Sequence, residues 1–279
     1  GQWLVAGTRR GGVATWRLAG LSGEAPPAKL ECIAKVVVHS NDVSAVCIDQ
    51  DGRVTSVSDG GSVVSDSLVG GGATPLGSDV TVATVGEYEG KLSILSGLRD
   101  GRVLVTEIGR HETSLQESNA VRSESLGDFR YGVGHELIAG GPSGVSALTY
   151  DASHRQLAVG WDDGRIAILD LASGVERECT YTPPSDSLDQ RQINDLSFSP
   201  DGSQVSACGD DARARVWSVH KPEQPLWEYR FSSKAHSTGF CGPKRVAVGG
   251  IFEEILVLDA DNGCVLQHIP GAQRTGCMM

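Results

Sequence analysis

The chain has 279 residues, 36 of them glycine and 5% of them aromatic, with a formal charge of -11 at pH 7. That length suffices for one large all-β domain or two ordinary ones, and the glycine content asks for many tight turns. An acidic balance with no basic patch argues against nucleic acid or an anionic membrane as a direct partner, and no apolar run of roughly 18 residues is present to form a spanning helix.

Seven cysteines, Cys32, Cys47, Cys179, Cys208, Cys241, Cys264 and Cys277, are odd in number and widely spaced, mostly within apolar stretches. They read as reduced core thiols of an intracellular protein, cytoplasmic or nuclear, and not as a disulfide frame. No Asn-x-Ser/Thr acceptor occurs.

In chain order, six hairpins share one pattern of two apolar strands around a tight turn: VAGTRRGGVATWR, SVSDGGSVVSD, LSGLRDGRVLVTE, LAVGWDDGRIAILD, SACGDDARARVWS and AVGGIFEEILVLD. They end at Arg17, Asp66, Glu107, Asp170, Ser218 and Asp259, with gaps of 49, 41, 63, 48 and 41 residues. Six residues before each end stands Gly11, Gly60, Gly101, Gly164, Ala212 or Glu253, preceded in the middle copies by Asp59, Asp100, Asp163 and Asp211. An Asp-Gly pair between apolar runs predicts a hairpin with a type I′ turn, where both central residues need positive φ. By the same reasoning Asp211-Ala212 predicts a different turn, and the sixth copy, Ile251-Phe252-Glu253, has lost the turn chemistry. The recurring aspartates read as turn caps and not as a catalytic set.

Upstream of each turn sits a small residue, Gly7, Ser56, Gly97, Gly160, Cys208 or Gly249, as close backbone packing would require. Further strands flank the hairpins: VSAVCID, VTVATVG, VSALTYD and INDLSFS before them, and KVVV, LWEYRF and CVLQHI after them. Four short strands per unit of about 40 residues make a propeller blade. The first blade lacks its first strand, which suggests a piece of a longer protein. The 63-residue gap holds a polar insertion over 109–141, expected to be a long loop between blades.

INDLSFSPDGSQVSACGDDARARVWS, residues 193–218, resembles a WD-repeat propeller blade: Ser199-Pro200-Asp201-Gly202 is its first turn and Trp217 stands where that family carries its tryptophan. HSNDVSAV, residues 39–46, resembles the family's His-x-x-x-Val blade opening through His39. The other units keep the period and lose the signature tryptophan. The resemblance implies an all-β fold, a β-propeller of about six four-stranded blades, or seven in a longer protein, occupying 1–279 as a single domain. It also implies that His39, Trp16 and Trp217 serve blade packing.

Enzyme motifs are missing. His135-Glu136-Leu137-Ile138-Ala139 has alanine where a zinc helix needs its second histidine. Tyr131-Gly132-Val133-Gly134 lacks the third glycine of a dinucleotide loop, and Gly90-Lys91 lacks the phosphate-loop context. No Gly-x-Ser-x-Gly or Cys-x-x-Cys occurs. The expectation is a protein with no catalytic residue, metal or cofactor.

What remains is surface recognition. In WD-repeat rings the hairpin turns open, with the loops between blades, onto one face. The residues ahead of the turns are Arg9, Ser58, Arg99, Asp162, Asp210 and Ile251. In chain order they form a basic-to-neutral arc followed by an acidic one, able to fix a partner's register. With Arg10 and Trp161, whose ring reads as packing against the next blade or, more sharply, as an aromatic anchor, these make up the expected partner-binding set. The favoured reading is a non-catalytic scaffold docking other proteins as a subunit of a multiprotein complex. Within the resembled family such scaffolds serve vesicle coats, nuclear pores, ciliary trains, ubiquitin ligases and histone-reading complexes. An enzyme or ligand sensor at the channel mouth is the second reading. A reader of acidic or phosphorylated tails through Arg9, Arg10 and Arg99 is the third.

Overall fold

The computed structural model describes residues 3–19, 29–37, 39–48, 54–58, 62–65, 74–75, 79–110, 129–131, 135–181, 191–251 and 254–270. Nearly all of this is strand, arranged as six antiparallel sheets in chain order. Asp59, Gly60 and the centre of the polar insertion, 111–128, lie outside the described residues, as does the side chain of Arg9.

The first sheet holds three strands, β1 (Trp3–Gly7), β2 (Gly12–Ala19) and β3 (Lys29–Val37). The second runs β4 (Val43–Ile48), β5 (Val54–Ser58), β6 (Ser62–Ser65) and β7 (Thr74–Pro75). The third runs β8 (Val80–Tyr88), β9 (Lys91–Leu98), β10 (Val103–Arg110) and β11 (Phe129–Tyr131), with β12 (His135–Ile138) also pairing β10. The fourth is β13 (Val145–Asp151), β14 (Gln156–Trp161), β15 (Ile166–Asp170) and β16 (Val175–Glu178). The fifth is β17 (Ile193–Phe198), β18 (Gln204–Gly209), β19 (Arg213–Ser218) and β20 (Trp227–Arg230). The sixth is β21 (Ala235–Phe240), β22 (Arg245–Gly250), β23 (Glu254–Asp259) and β24 (Val265–Pro270).

The expectation of an all-loop insertion over 109–141 needs correcting at both ends. Gly109 and Arg110 belong to β10, while Phe129–Tyr131 and His135–Ile138 pair with it. His135-Glu136-Leu137-Ile138 is therefore strand, and Ile138 is buried opposite Val103. Polar composition hid this, because an outer strand half open to solvent needs few apolar residues.

The chain divides into two compact units, Gly1–Ser96 with Val103–Ile138, and Gly97–Arg102 with Ala139–Met279. In the second unit apolar cores lie between successive sheets. Ala147, Ala158, Ile166 and Ile168 meet Ile193, Leu196, Val205, Ala207 and Trp217 in one cluster. Cys208, Ala214, Val216 and Trp227 meet Ala235, Val246, Val248, Leu256 and Leu258 in the next. Central strands buried on both faces read as continuous apolar runs, as in QLAVGW of β14. Outer strands such as β16, Val-Glu-Arg-Glu, carry the charges that keep an open edge from pairing with other chains.

At Gly7 and Gly160 the small residue ahead of the turn has the physical role expected of it. A Cβ on Gly160 would lie 2.7 Å from Cγ2 of Ile193 on the next sheet, and one on Gly7 would lie 2.5 Å from Cγ1 of Val43. Where that position is Cys208 instead of glycine, the facing cluster contains Ala235, which makes room for the larger side chain.

Three of the five described cysteines, Cys32, Cys241 and Cys264, are exposed, so the core-thiol reading holds only for Cys179 and Cys208. Burial pushes the Cys179 thiol up to about 12, with the neighbouring Glu178 adding to it. Such thiols stay protonated and unreactive at neutral pH.

Candidate functional site: the turn-bearing end of the sheets

Antiparallel order places each hairpin turn at the same end of its sheet as the loop leading to the next sheet. In the second unit this end holds the turns at 98–102, 161–165 and 209–213, the loops at 139–144 and 231–234, and the segments 179–181 and 191–192.

The turns are not type I′. Gly101 N–H donates to Leu98 O at 3.0 Å and Leu98 N–H to Arg102 O at 2.9 Å. Trp161 and Arg165 close their turn in the same way, with Gly164 N–H donating to Trp161 O at 3.0 Å. Positive φ falls on Gly101 (+84°) and Gly164 (+89°) and not on Asp100 or Asp163. This is the three-residue hairpin loop, a type I turn followed by one left-handed residue. The aspartate contributes as a cap: Asp100 accepts Arg102 N–H at 3.2 Å and Asp163 accepts Arg165 N–H at 3.1 Å. Nor does Asp211-Ala212 differ as expected. Ala212 takes φ +59° and Asp211 accepts Arg213 N–H at 3.2 Å, so the same loop forms with an alanine in the glycine position. In the first hairpin two successive residues, Arg10 (φ 66°) and Gly11 (φ 74°), are left-handed, and a Cβ on Gly11 would fall 1.8 Å from His39 O.

The packing residues sit inside. His39 is buried with Nε2 2.8 Å from Ser56 Oγ, and burial lowers its pKa. Trp217 is fully buried and donates from Nε1 to Thr180 O at 3.1 Å, edge-on to Tyr181. Trp16 is half-buried on β2, between Leu4 and Cys32 in register.

Trp161 is no exposed anchor. Its ring is 3% exposed and its Nε1–H donates to Gly101 O at 3.2 Å, so it locks one turn against the previous one. The polarised rim is also weaker than chain order suggested. Asp210 pairs with Lys234 Nζ at 2.5 Å and accepts Asn194 Nδ2–H at 2.9 Å. Asp162 is exposed beside the attracting charge of Arg99, although burial and Asp163 raise its pKa. Arg99 and Ile251 are exposed, Ile251 by 54%, with its N–H donating to Lys234 O. Arg10 belongs to the first unit, is exposed, and donates its main-chain N–H to Asp42 Oδ1 at 2.8 Å.

Sequence reasoning missed Arg102 and Arg165. Each ion-pairs through Nε with the aspartate of its own turn, Asp100 at 2.8 Å and Asp163 at 2.9 Å. The Arg102 main-chain N–H, then its side chain, hold Asp100 below the ordinary carboxylate pKa. The repeated Asp-Gly-Arg string at 100–102 and 163–165 carried that signal. A buried network was also missed: Arg215, 2% exposed, pairs with Asp211 and Glu228, each at 2.6 Å, with its guanidinium 4.1 Å above the Tyr181 ring. Glu228 also pairs with Arg213. Among the described residues no three His, Cys, Asp or Glu side chains are grouped to hold a metal.

The WD domain, G-beta repeat model matches residues 178–218, the span of β19, Trp217 and the Asp211 turn. Residues 178–218 carry a WD repeat, and the fold of the chain is a β-propeller. The propeller is similar over 98% of its length to the crystal structure of the Myceliophteria thermophila Cps50 (Swd1) β-propeller domain, at TM-score 0.67 and 14% identity, covering 84% of that chain. It is 30% identical over 129 residues to COMPASS component SWD1 of Saccharomyces cerevisiae. That match takes in 43% of this chain and 29% of the length of SWD1.

Proposed function

We propose that this propeller is a non-catalytic platform that docks partner proteins within a multiprotein complex. The observation that carries this reading is the likeness to SWD1, itself named as a component of the complex COMPASS. The geometry supports it. The turn-bearing end presents charged side chains on turns that are each pinned by an aspartate cap, so contact residues are displayed without ordering cost. Asp100, Asp163 and Asp211 cap their turns and Asp210 pairs with Lys234, roles that suit display better than proton transfer.

Membership of a COMPASS-like assembly is the specific form of the proposal. Affinity purification of the protein from its own cells, followed by gel filtration and mass spectrometry, tests it. Stoichiometric partner subunits eluting with the propeller, well above its own 29.3 kDa, are expected. A lone monomer that turns over a small molecule would overturn the platform reading in favour of an enzyme.

A further inference from the structure

On the outer strands of the last two sheets, two leucines lie open to solvent. Leu226 is 48% exposed and Leu266 is 51% exposed, whereas Leu95, Leu157 and Leu258 are fully buried. Both occupy the same place in the repeat, and the backbone puts both there. In the sixth sheet Val265 pairs with Leu258 and Gln267 with Val257, so Leu266 is an extra residue in the outer strand, a β-bulge. In the fifth sheet Trp227 pairs with Val216, and Leu226 N–H donates to Val216 O at 2.7 Å, so two residues again share one partner. Val216 and Val257 each lie two residues before the end of their hairpin, Ser218 and Asp259. A bulge takes its extra side chain out of the alternation of the ladder, and here that side chain is aliphatic. The fourth sheet has no bulge at this level: Leu169 pairs with Glu176 and Ile168 with Arg177, and its outer strand is charged.

The two leucines border one joint between sheets. Trp227, next to Leu226, donates from Nε1 to Ala260 O at 2.8 Å, and a Cβ on Gly263, three residues before Leu266, would lie 2.8 Å from its ring. Val265, half-buried beside Leu266, packs on the same core as Trp227. Cys264 is exposed there as well. Leu226, Cys264, Val265 and Leu266 thus present apolar surface along a seam whose two sides are fixed to each other by the buried tryptophan.

We propose that this leucine seam receives the apolar face of an amphipathic helix of a partner protein. The inference rests on the platform reading and adds a docking position on the outer strands, away from the turn-bearing end.

Three observations choose the occupant. Two leucines and their apolar neighbours fall well short of the roughly 800 Å² per partner that a stable dimer buries, so the seam suits a short segment better than a second copy of this chain. Addition of a strand is disfavoured by the bulge in β24, because an interrupted and twisted edge offers no continuous ladder. The seam offers side chains instead of main chain, and that is how a helix is gripped, by an apolar stripe at i, i+3, i+4 and i+7. Lys221, Glu223, Gln267 and His268, exposed in the flanking sequence, supply the polar rim expected around such a patch.

Fluorescence anisotropy on the intact protein at physiological salt tests the seam. The probe is a labelled peptide of about 18 residues with leucine at i, i+3, i+4 and i+7 and with lysine and glutamate elsewhere. Wild-type protein should bind it more tightly than a peptide of the same composition in which leucine alternates with polar residues, the strand pattern. Leu226→Gln and Leu266→Gln should each weaken binding by about tenfold, as loss of one buried aliphatic contact does. Val175→Gln, at a comparably exposed aliphatic residue on the unbulged β16, should leave affinity unchanged. Both leucines lie at the surface, so circular dichroism should be alike for all variants, and if one variant misfolds the other decides. Absence of wild-type binding to the helical peptide overturns the site, as does wild-type affinity in both leucine variants or equal weakening by Val175→Gln. Tighter binding of the strand-patterned peptide overturns it too. A dimer seen by light scattering that Leu266→Gln dissolves assigns the seam to a second copy and overturns helix docking. None of these failures touches co-purification with partner subunits, so the platform reading and the seam fail separately.

Discussion

A single glycine, Gly160, shows how little space the sheets leave between them. Its Cα faces Ile193 so closely that a methyl group would sit 2.7 Å from Cγ2. Gly160→Ala should therefore destabilise the protein by about 1–3 kcal/mol, as overpacking does. Coupling it with Ile193→Ala should recover about 1 kcal/mol in a double-mutant cycle read by urea denaturation. Cys208 and Ala235 are the natural form of that exchange. Asp195 is the other telling residue. It accepts hydrogen bonds from Ser237 Oγ and Thr238 N–H on the next sheet, yet burial outweighs them and raises its pKa to about 6. A raised carboxyl pKa means that the folded state holds its proton more tightly than the unfolded chain. Its contribution to stability is thus largest at low pH and is lost as pH rises from about 4 to about 6. Asp195→Asn should flatten that part of the stability-pH profile measured by thermal melting. His39 has the opposite sign: its lowered pKa favours the neutral ring in the fold, so stability is lost as pH falls below the unfolded histidine range.

The turn is the element on which this fold repeats, and its chemistry is uneven. Ala212 holds a left-handed φ of +59° where other copies have glycine. A side chain in that region costs about 1 kcal/mol, so Ala212→Gly should raise the unfolding free energy by roughly that amount. The arginine network beneath the same turn is sensitive in the other direction. Arg215→Met would leave Asp211 and Glu228 without their shared partner, and a loss of about 3–5 kcal/mol in denaturant melts is expected.

At the scale of the whole chain, stability should be graded from the buried central strands to the outer ones. Strands β14 and β18 are buried along almost their whole length, while β16 and β24 are exposed at most positions. Native-state hydrogen exchange should accordingly protect β14 and β18 amides most and β16 and β24 amides least. Uniform protection across all four would contradict a fold whose cores lie between stacked central strands.

The sequence by itself determined the all-β class, the six repeating sheets, the three-stranded first sheet and the positions of the turns at 98–102, 161–165 and 209–213. Those features are local, set by alternating strands, a turn residue tolerant of left-handed φ and a fixed spacing between copies. Tertiary structure decided the rest. Arg102 and Arg165 are 63 positions apart in the chain and approach successive glycines, Gly140 and Gly141, only because neighbouring turns share a loop. Sequence left Trp161 between packing on a neighbouring blade and a contact anchor; it is buried, because the previous turn supplies the acceptor for its indole N–H. Asp210 looked like free negative charge and is held by Lys234, 24 residues later. Burial and pairing are properties of neighbours in space, and a period read along one dimension does not say which neighbours those are.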